Sequence, residues 1–180
     1  MKRSTVFWFT TLVGPLILYS YWRGVGAVDD PMVYWGDVPK RMQSFIVPWM
    51  FVASVGYILM WHRFFFAWGE DDIASLHWPW TNADGRGVHR LFGVYAAFLI
   101  ASMLWIDLTR LYIETPSTFG ALLVIGVLWT AGLASLGFGA LVWSSRDRLA
   151  GARWALAGSA MLSIQCTWWD AVYWVAEFGW

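Results

Sequence analysis

Charged residues inside apolar stretches are the first candidates for chemistry in this chain. Asp107, Arg110 and Glu114 follow one another at spacings of three and four, which predicts one helical face on which Asp107 pairs with Arg110 and Arg110 with Glu114. Asp170 lies deeper in a later apolar stretch. A charge at the centre of a bilayer costs at least ~2.5 kcal/mol, so these side chains are expected to face protein or a cavity.

The last apolar stretch also carries a row of polar residues. They are Ser159, Ser163, Cys166, Asp170, Tyr173 and Glu177. Their alternating spacings of four and three predict a single helical face, which should turn inward because lipid offers no hydrogen-bond partner. Asp107 and Asp170 would then border one pocket in the same half of the membrane. A satisfied structural network around Arg110 is the alternative, and structural ion pairs are commoner than functional ones.

The histidines offer a rival site. His62 ends the second apolar stretch and His89 begins the third on the same side, so both rings could bind one b-type haem, with Arg63 and Arg90 near its propionates. Two interfacial histidines without a ligand are the commoner arrangement, and His77 adds no metal-ligand spacing. No cofactor is certain from the sequence, and porphyrin or haem enters only as a candidate ligand.

The composition indicates a membrane protein. Hydrophobic residues make up 59% of the 180 positions and charged residues 13%, whereas soluble domains carry about 25% charged residues. Twelve basic residues balance twelve acidic ones, so the chain lacks the positive field that nucleic-acid binding requires. The 16 tryptophans suit both interfacial anchors and the walls of a pocket for flat ligands. The single cysteine, Cys166, excludes a disulfide framework.

Five stretches are long enough to cross a bilayer core of about 30 Å as helices. The predicted spans are 5–22, 44–68, 88–113, 117–143 and 152–178, with long loops at 23–43 and 69–87. The prediction is therefore a single all-α domain, an integral membrane bundle of five transmembrane helices. Lys and Arg are more numerous on the N-terminal side, which favours a cytoplasmic N-terminus and, with five spans, a C-terminus on the opposite side. The glycine-rich run GLASLGFGA favours close helix packing or a homodimer.

The five spans, the abundant tryptophan and the long first loop together resemble the translocator protein family, also called tryptophan-rich sensory proteins. The segments that carry the resemblance are Gly14-Pro15, MVYWGDVPKR, VPWMFVASVGYILMW and VYAAFLIASMLW. The resemblance implies a pocket between the five helices, capped by the first loop, for porphyrins, sterols or hydrophobic drug-like ligands. It also implies frequent dimers, and it carries over Trp35, Trp49, Ser102 and Trp105 as pocket residues.

Three functions follow as hypotheses. The first is a membrane-embedded binding protein for a planar apolar ligand, with aromatic walls and a polar end at Asp107, Arg110 and Asp170, beside Tyr173. The second is a membrane enzyme resembling the emopamil-binding sterol isomerases, in which Asp107, Asp170 and Glu177 supply acid and base. The third is a non-catalytic subunit of a larger membrane complex.

Overall fold

Five long helical segments build the chain in the computed structural model, which describes residues 1–180. The elements in chain order are α1 (Arg3–Gly26), a 3-10 helix (Pro31–Trp35), α2 (Lys40–His62) continued by a π-helical segment (Arg63–Ala67), α3 (Glu70–Ala74), α4 (Gly87–Glu114), α5 (Thr118–Ser145), α6 (Ala152–Ser163) continued by a second π-helical segment (Ile164–Trp174), and α7 (Val175–Glu177). The last three elements form one continuous rod, here called the last helix. The all-α prediction is confirmed.

The helix bounds differ from the predicted ones around the first loop. Because α1 extends to Gly26 and α2 begins at Lys40, the loop between them covers residues 27–39 rather than 23–43. The turn between α4 and α5 is as short as predicted, and Ser117 caps α5 by accepting a hydrogen bond from the backbone N–H of Gly120 at 3.1 Å.

Three helices are long and apolar enough to cross a membrane, namely Lys40–Ala67, Gly87–Glu114 and Thr118–Ser145. Large apolar side chains also cover the outside of the molecule, including Leu18 and Phe51, each 71% exposed. Exposed apolar surface of this extent marks a membrane or partner interface. The chain therefore has the character of a membrane protein. Five crossings remain a prediction, since α1 and the last helix are richer in Ser, Thr, Tyr and Trp.

The long helices follow one another around a ring. α4 packs between α1 and α5, α5 packs against the last helix, and the last helix packs against α2. α1 and α2 meet near one end, where Trp61 Nε1 donates a hydrogen bond to Thr10 Oγ1 at 2.9 Å and Phe7 stacks on the Trp61 ring. Along the rest of their length these two helices make little contact. The ring is therefore least closed between α1 and α2.

Two buried clusters fill the ring. The larger one surrounds Tyr95, whose ring lies 4.6 Å from that of Phe138 and also contacts Phe64 and Tyr57. The smaller one lies under the first loop, and its members are Val38, Ile46, Val124, Leu128, Ala171, Trp174 and Phe178. The first loop thus belongs to the core at its end of the bundle, because Val38 is a loop residue.

Glycines set the closest helix contacts. A Cβ atom at Gly158 would lie 2.4 Å from the carbonyl oxygen of Gly56, so α2 and α6 touch backbone to backbone. On α5, a Cβ at Gly132 would lie 3.0 Å from the carbonyl oxygen of Cys166, and one at Gly139 would lie 2.8 Å from Ser159 Oγ. The glycine-rich run of α5 therefore serves close packing against the last helix.

Gly158→Ala should destabilise the protein by about 1–3 kcal/mol, because the added methyl group must push α2 and α6 apart. The matched control is Gly93→Ala, a helical glycine with no atom near its Cβ position, where alanine should be neutral or stabilising by up to ~1 kcal/mol. Unfolding midpoints in detergent compare the two. Equal midpoints for both variants would contradict the backbone contact.

Arg90 fixes the loop between α3 and α4. Its guanidinium donates hydrogen bonds to both carboxylate oxygens of Asp84, at 2.6 and 2.9 Å, and to the carbonyl oxygen of Leu76 at 3.1 Å. The hydrogen bonds from Arg90, and then the backbone N–H of Arg86, lower the pKa of Asp84 from its ordinary 3.8 to about 2. The loop is thus held through an ionised carboxylate.

A pKa that is lower in the folded state adds stability above the unfolded pKa, and that stability disappears as pH falls through the folded value. The contribution of Asp84 should accordingly be complete above about pH 4 and decline toward pH 2. Wild type should be more stable than Asp84→Asn at pH 6, and the gap should narrow between pH 4 and 2. A gap that stays constant over this range would contradict the ion pair with Arg90.

Candidate functional site

Asp170 lies in the second π-helical segment and half-buried inside the ring. Its Oδ1 accepts a hydrogen bond from Gln165 Nε2 at 2.7 Å. A π-helix repeats its hydrogen bonds at i to i+5, and this wider turn aligns residues five positions apart, the separation of Gln165 and Asp170. Gln165 is 4% exposed, so the side chain that donates to Asp170 lies on the face of the helix that packs against the rest of the protein.

Gln165 was not among the predicted site residues. An α-helical spacing places it off the face that carries Cys166 and Asp170, whereas the wider turn brings it back. The prediction that the polar residues from Ser159 to Glu177 share one inward face is therefore wrong beyond Ile164, because the helix changes there from an α-helical to a π-helical pitch. One sequence signal was present: Gln165 is the only glutamine within the predicted spans.

Tyr21 of α1 and Cys166 both lie close enough to the Asp170 carboxylate to interact with its charge. The four ion pairs of the molecule do not include Asp170. Asp170 thus has one hydrogen bond, two weakly acidic neighbours and no cation. Because a carboxylate can accept several hydrogen bonds, the single one from Gln165 leaves acceptor positions of Asp170 open.

Aromatic rings border this part of the ring interior. The Trp105 ring lies 5.8 Å from that of Tyr21, 5.9 Å from that of Trp174 and 6.4 Å from that of Tyr34. These distances fall in the range of attractive aromatic pairs. Trp105 is therefore the common neighbour of α1, the first loop and the last helix. Of the pocket residues implied by the family resemblance, it is the one joined to the Asp170 site, through Tyr21.

The first loop covers the end of the bundle above Trp105. Tyr34 is buried, its hydroxyl donates to the carbonyl oxygen of Gly24 at 2.8 Å, and its own carbonyl accepts from Trp174 Nε1 at 3.0 Å. Gly36 then turns the chain at φ 53°, and a Cβ there would overlap the carbonyl oxygen of Phe178. Tyr34 and not the predicted Trp35 points inward, since Trp35 is only partly buried at the edge of the smaller cluster.

Asp107 and Arg110 form ion pairs that do not include Asp170. Asp107 pairs with Arg23 of α1, and Arg110 pairs with Glu114 at 3.2 Å. The expected Asp107–Arg110 pair is wrong because helix packing brings Arg23 of α1 to Asp107. Both pairs lie near Tyr34, and the expectation of one pocket shared by Asp107 and Asp170 stays a prediction.

The remaining predicted pocket residues are dispersed. Trp49 and Ser102 are half-buried on α2 and α4, and the indole N–H of Trp49 is buried without a hydrogen-bond partner. Tyr173 packs against Trp169, with ring centroids 5.6 Å apart. We therefore define the candidate site as Asp170, Gln165, Tyr21 and Cys166, with the Trp105 aromatics joined to it through Tyr21.

The two histidines proposed for haem contact different neighbours. His62 is exposed and stacks on Phe66, and His89 Nε2 lies 3.4 Å from the amino group of Met1. His77 belongs to the loop, where its Nδ1 contacts Ser145 Oγ at 3.1 Å. No group of three or more His, Cys, Asp or Glu side chains is arranged to hold a metal ion.

No protein-family model, curated protein or solved structure matches this chain. The resemblance to the translocator proteins therefore stays a prediction that depends on the quoted segments alone.

Tyr34→Phe should loosen the first loop, because it removes the hydrogen bond from the Tyr34 hydroxyl to the carbonyl oxygen of Gly24, which then accepts only from the backbone N–H of Ala27. A lost hydrogen bond of this kind is worth about 1 kcal/mol, so amide exchange in residues 27–39 should accelerate about fivefold. Tyr19→Phe is the matched control, since Tyr19 is 56% exposed and makes no side-chain hydrogen bond. Identical exchange in both variants would show that Tyr34 does not hold the loop.

Proposed function

We propose that this protein binds, within a membrane, a planar apolar ligand whose polar end carries a positive charge or a hydrogen-bond donor. One observation carries the proposal: the half-buried carboxylate of Asp170 has a single hydrogen bond and no cation, and the neighbouring Tyr21 ring adjoins the Trp105 aromatics. Apolar pockets with a few convergent polar groups are the usual sites for small molecules. A ligand amine or hydroxyl would supply the partner that Asp170 lacks.

The negative charge of Asp170 favours some of the predicted ligand classes over others. Asp170 would repel the two carboxylates of a porphyrin, whereas it would accept a hydrogen bond from a sterol hydroxyl or pair with an amine. The Trp105 and Trp174 rings add dispersion contacts with a flat hydrocarbon skeleton and attraction for a cation. We therefore place sterol-like and amine-bearing ligands ahead of porphyrins.

Access to the site is proposed to be lateral. The first loop is bonded across the end of the bundle through Tyr34 and Trp174, while α1 and α2 make little contact away from Thr10 and Trp61. A ligand dissolved in the bilayer would enter between these two helices. A cytoplasmic N-terminus, five crossings, a homodimer and membership in the translocator family accompany this proposal as hypotheses.

The acid-base enzyme receives less support. That hypothesis assigns acid and base to Asp107, Asp170 and Glu177, but Asp107 forms an ion pair with Arg23. Asp170 would have to serve with Glu177, Tyr21 or Cys166. Because a binding site requires only the single unpaired carboxylate, binding is the function that the geometry favours.

The test compares three probes in wild type and Asp170→Asn: a sterol bearing a 3-amino group, cholesterol, and protoporphyrin. Wild type should bind the amino sterol best. Asp170→Asn should weaken the affinity for the amino sterol about tenfold or more, since a hydrogen bond to a charged group is worth about 1.5–3 kcal/mol. The same substitution should weaken the binding of cholesterol less, and it should leave the affinity for protoporphyrin unchanged. Equilibrium dialysis in nanodiscs gives the affinities without depending on the fluorescence of sixteen tryptophans.

Asp71→Asn is the matched control, because Asp71 is an exposed carboxylate on α3 at the other end of the bundle. It should leave all three affinities unchanged. Trp105→Phe should weaken the affinity for both sterols, since both would stack on the Trp105 ring. Equal affinity of wild type and Asp170→Asn for the amino sterol would refute the proposed polar contact.

A further inference from the structure

A second open feature lies on the outer surface, between α5 and α6. It is a groove of about 380 Å³ with mostly apolar walls. Gly139, Ala140 and Trp143 line it from α5, and Leu156, Ala160 and Ser163 from α6. The groove exists because glycine and alanine leave space where larger residues would meet. Its deep end reaches Ser163, whose buried hydroxyl has no hydrogen-bond partner.

The two helix faces that form the groove continue to a pair of arginines. Arg146 follows Trp143 by three residues and Gly139 by seven, which places it on the same face of α5 one turn further. Arg153 precedes Leu156 by three residues and Ala160 by seven, so it extends the α6 face in the same direction. The two helices are joined at this end, and the groove therefore ends between Arg146 and Arg153.

Both arginines are exposed and lie at indole rings. The Arg146 guanidinium lies 4.2 Å from the centre of the Trp143 ring, and that of Arg153 lies 5.6 Å from the Trp154 ring. Asp147 is the only acid in the turn, and its contact with Arg146 is long, at 3.9 Å. Arg153 has neither a hydrogen bond nor an ion pair. This end of the groove is therefore net positive.

Tryptophan beside arginine at the end of an apolar helix is typical of the headgroup region of a bilayer. We propose that the groove holds one acyl chain of an anionic phospholipid, with the lipid phosphate between Arg146 and Arg153. The mostly apolar walls of the groove suit an acyl chain, and its cationic end suits the phosphate. A second copy of the chain, the other occupant that small residues would admit, offers no comparable reason for two exposed cations at this end.

Native mass spectrometry from a mild detergent tests the proposal with added phosphatidylglycerol and phosphatidylcholine. Wild type should retain phosphatidylglycerol in preference to phosphatidylcholine. The double variant Arg146→Gln/Arg153→Gln should lose affinity for phosphatidylglycerol by about fivefold for each arginine removed. The double variant Lys40→Gln/Arg41→Gln is its control, because it removes two exposed positive charges at the opposite end of the bundle and should bind as wild type does.

A second pair of variants tests the groove itself. Ala160→Leu fills it and should reduce retention of both lipids, whereas Ala157→Leu places the same side chain on an exposed position outside the groove and should have no effect. Equal retention of the two lipids by wild type would overturn the proposal. So would an Ala160→Leu variant that keeps its lipid but loses a homodimer, since the groove would then be an interface between two copies.

Discussion

The need to satisfy a carboxylate within an apolar helical bundle governs the last helix and what packs on it. Asp170 cannot take its hydrogen bonds from lipid, so they must come from protein or from a ligand. Gln165 supplies one of them, and it reaches Asp170 because the helix widens to a π-helical pitch between Ile164 and Trp174. Such widened turns are uncommon in helices and frequently occur at functional sites.

The widened segment has consequences for its neighbours. Its backbone is broad, and α5 accommodates it with Gly132, whose missing side chain admits the backbone of Cys166. Thr167 then donates a hydrogen bond to the carbonyl oxygen of Gly132 at 3.1 Å. At its end, Trp174 donates to the carbonyl oxygen of Tyr34 and so ties the first loop to the same segment. The carboxylate, the close α5 contact and the cap above the site are thus parts of one arrangement.

The sequence allowed the helices to be predicted but not most of the partners. Long apolar stretches indicate helices whatever their neighbours, so every predicted span falls on a long helix. Spacing rules find only local partners: they find Glu114 for Arg110, but they cannot find Arg23 for Asp107, which is 84 positions away. Gln165 was missed because the rules assume an α-helical pitch. Tyr34 was missed because a 3-10 turn decides which of two adjacent aromatic residues points inward.

Asp107 and Asp170 show why the partner of a charge matters more than the charge itself. Asp107 has a counter-ion within the protein, because Arg23 of α1 pairs with its Oδ2 and joins α1 to α4, although its Oδ1 is buried without a hydrogen bond. Asp170 has an amide, a phenol and a thiol nearby, none of which carries positive charge. Replacing Asp107 would release Arg23 and loosen two helices, whereas replacing Asp170 by asparagine would preserve the hydrogen-bonding shape and remove only a charge. A residue whose charge the fold itself does not use is the one whose charge is available to a ligand.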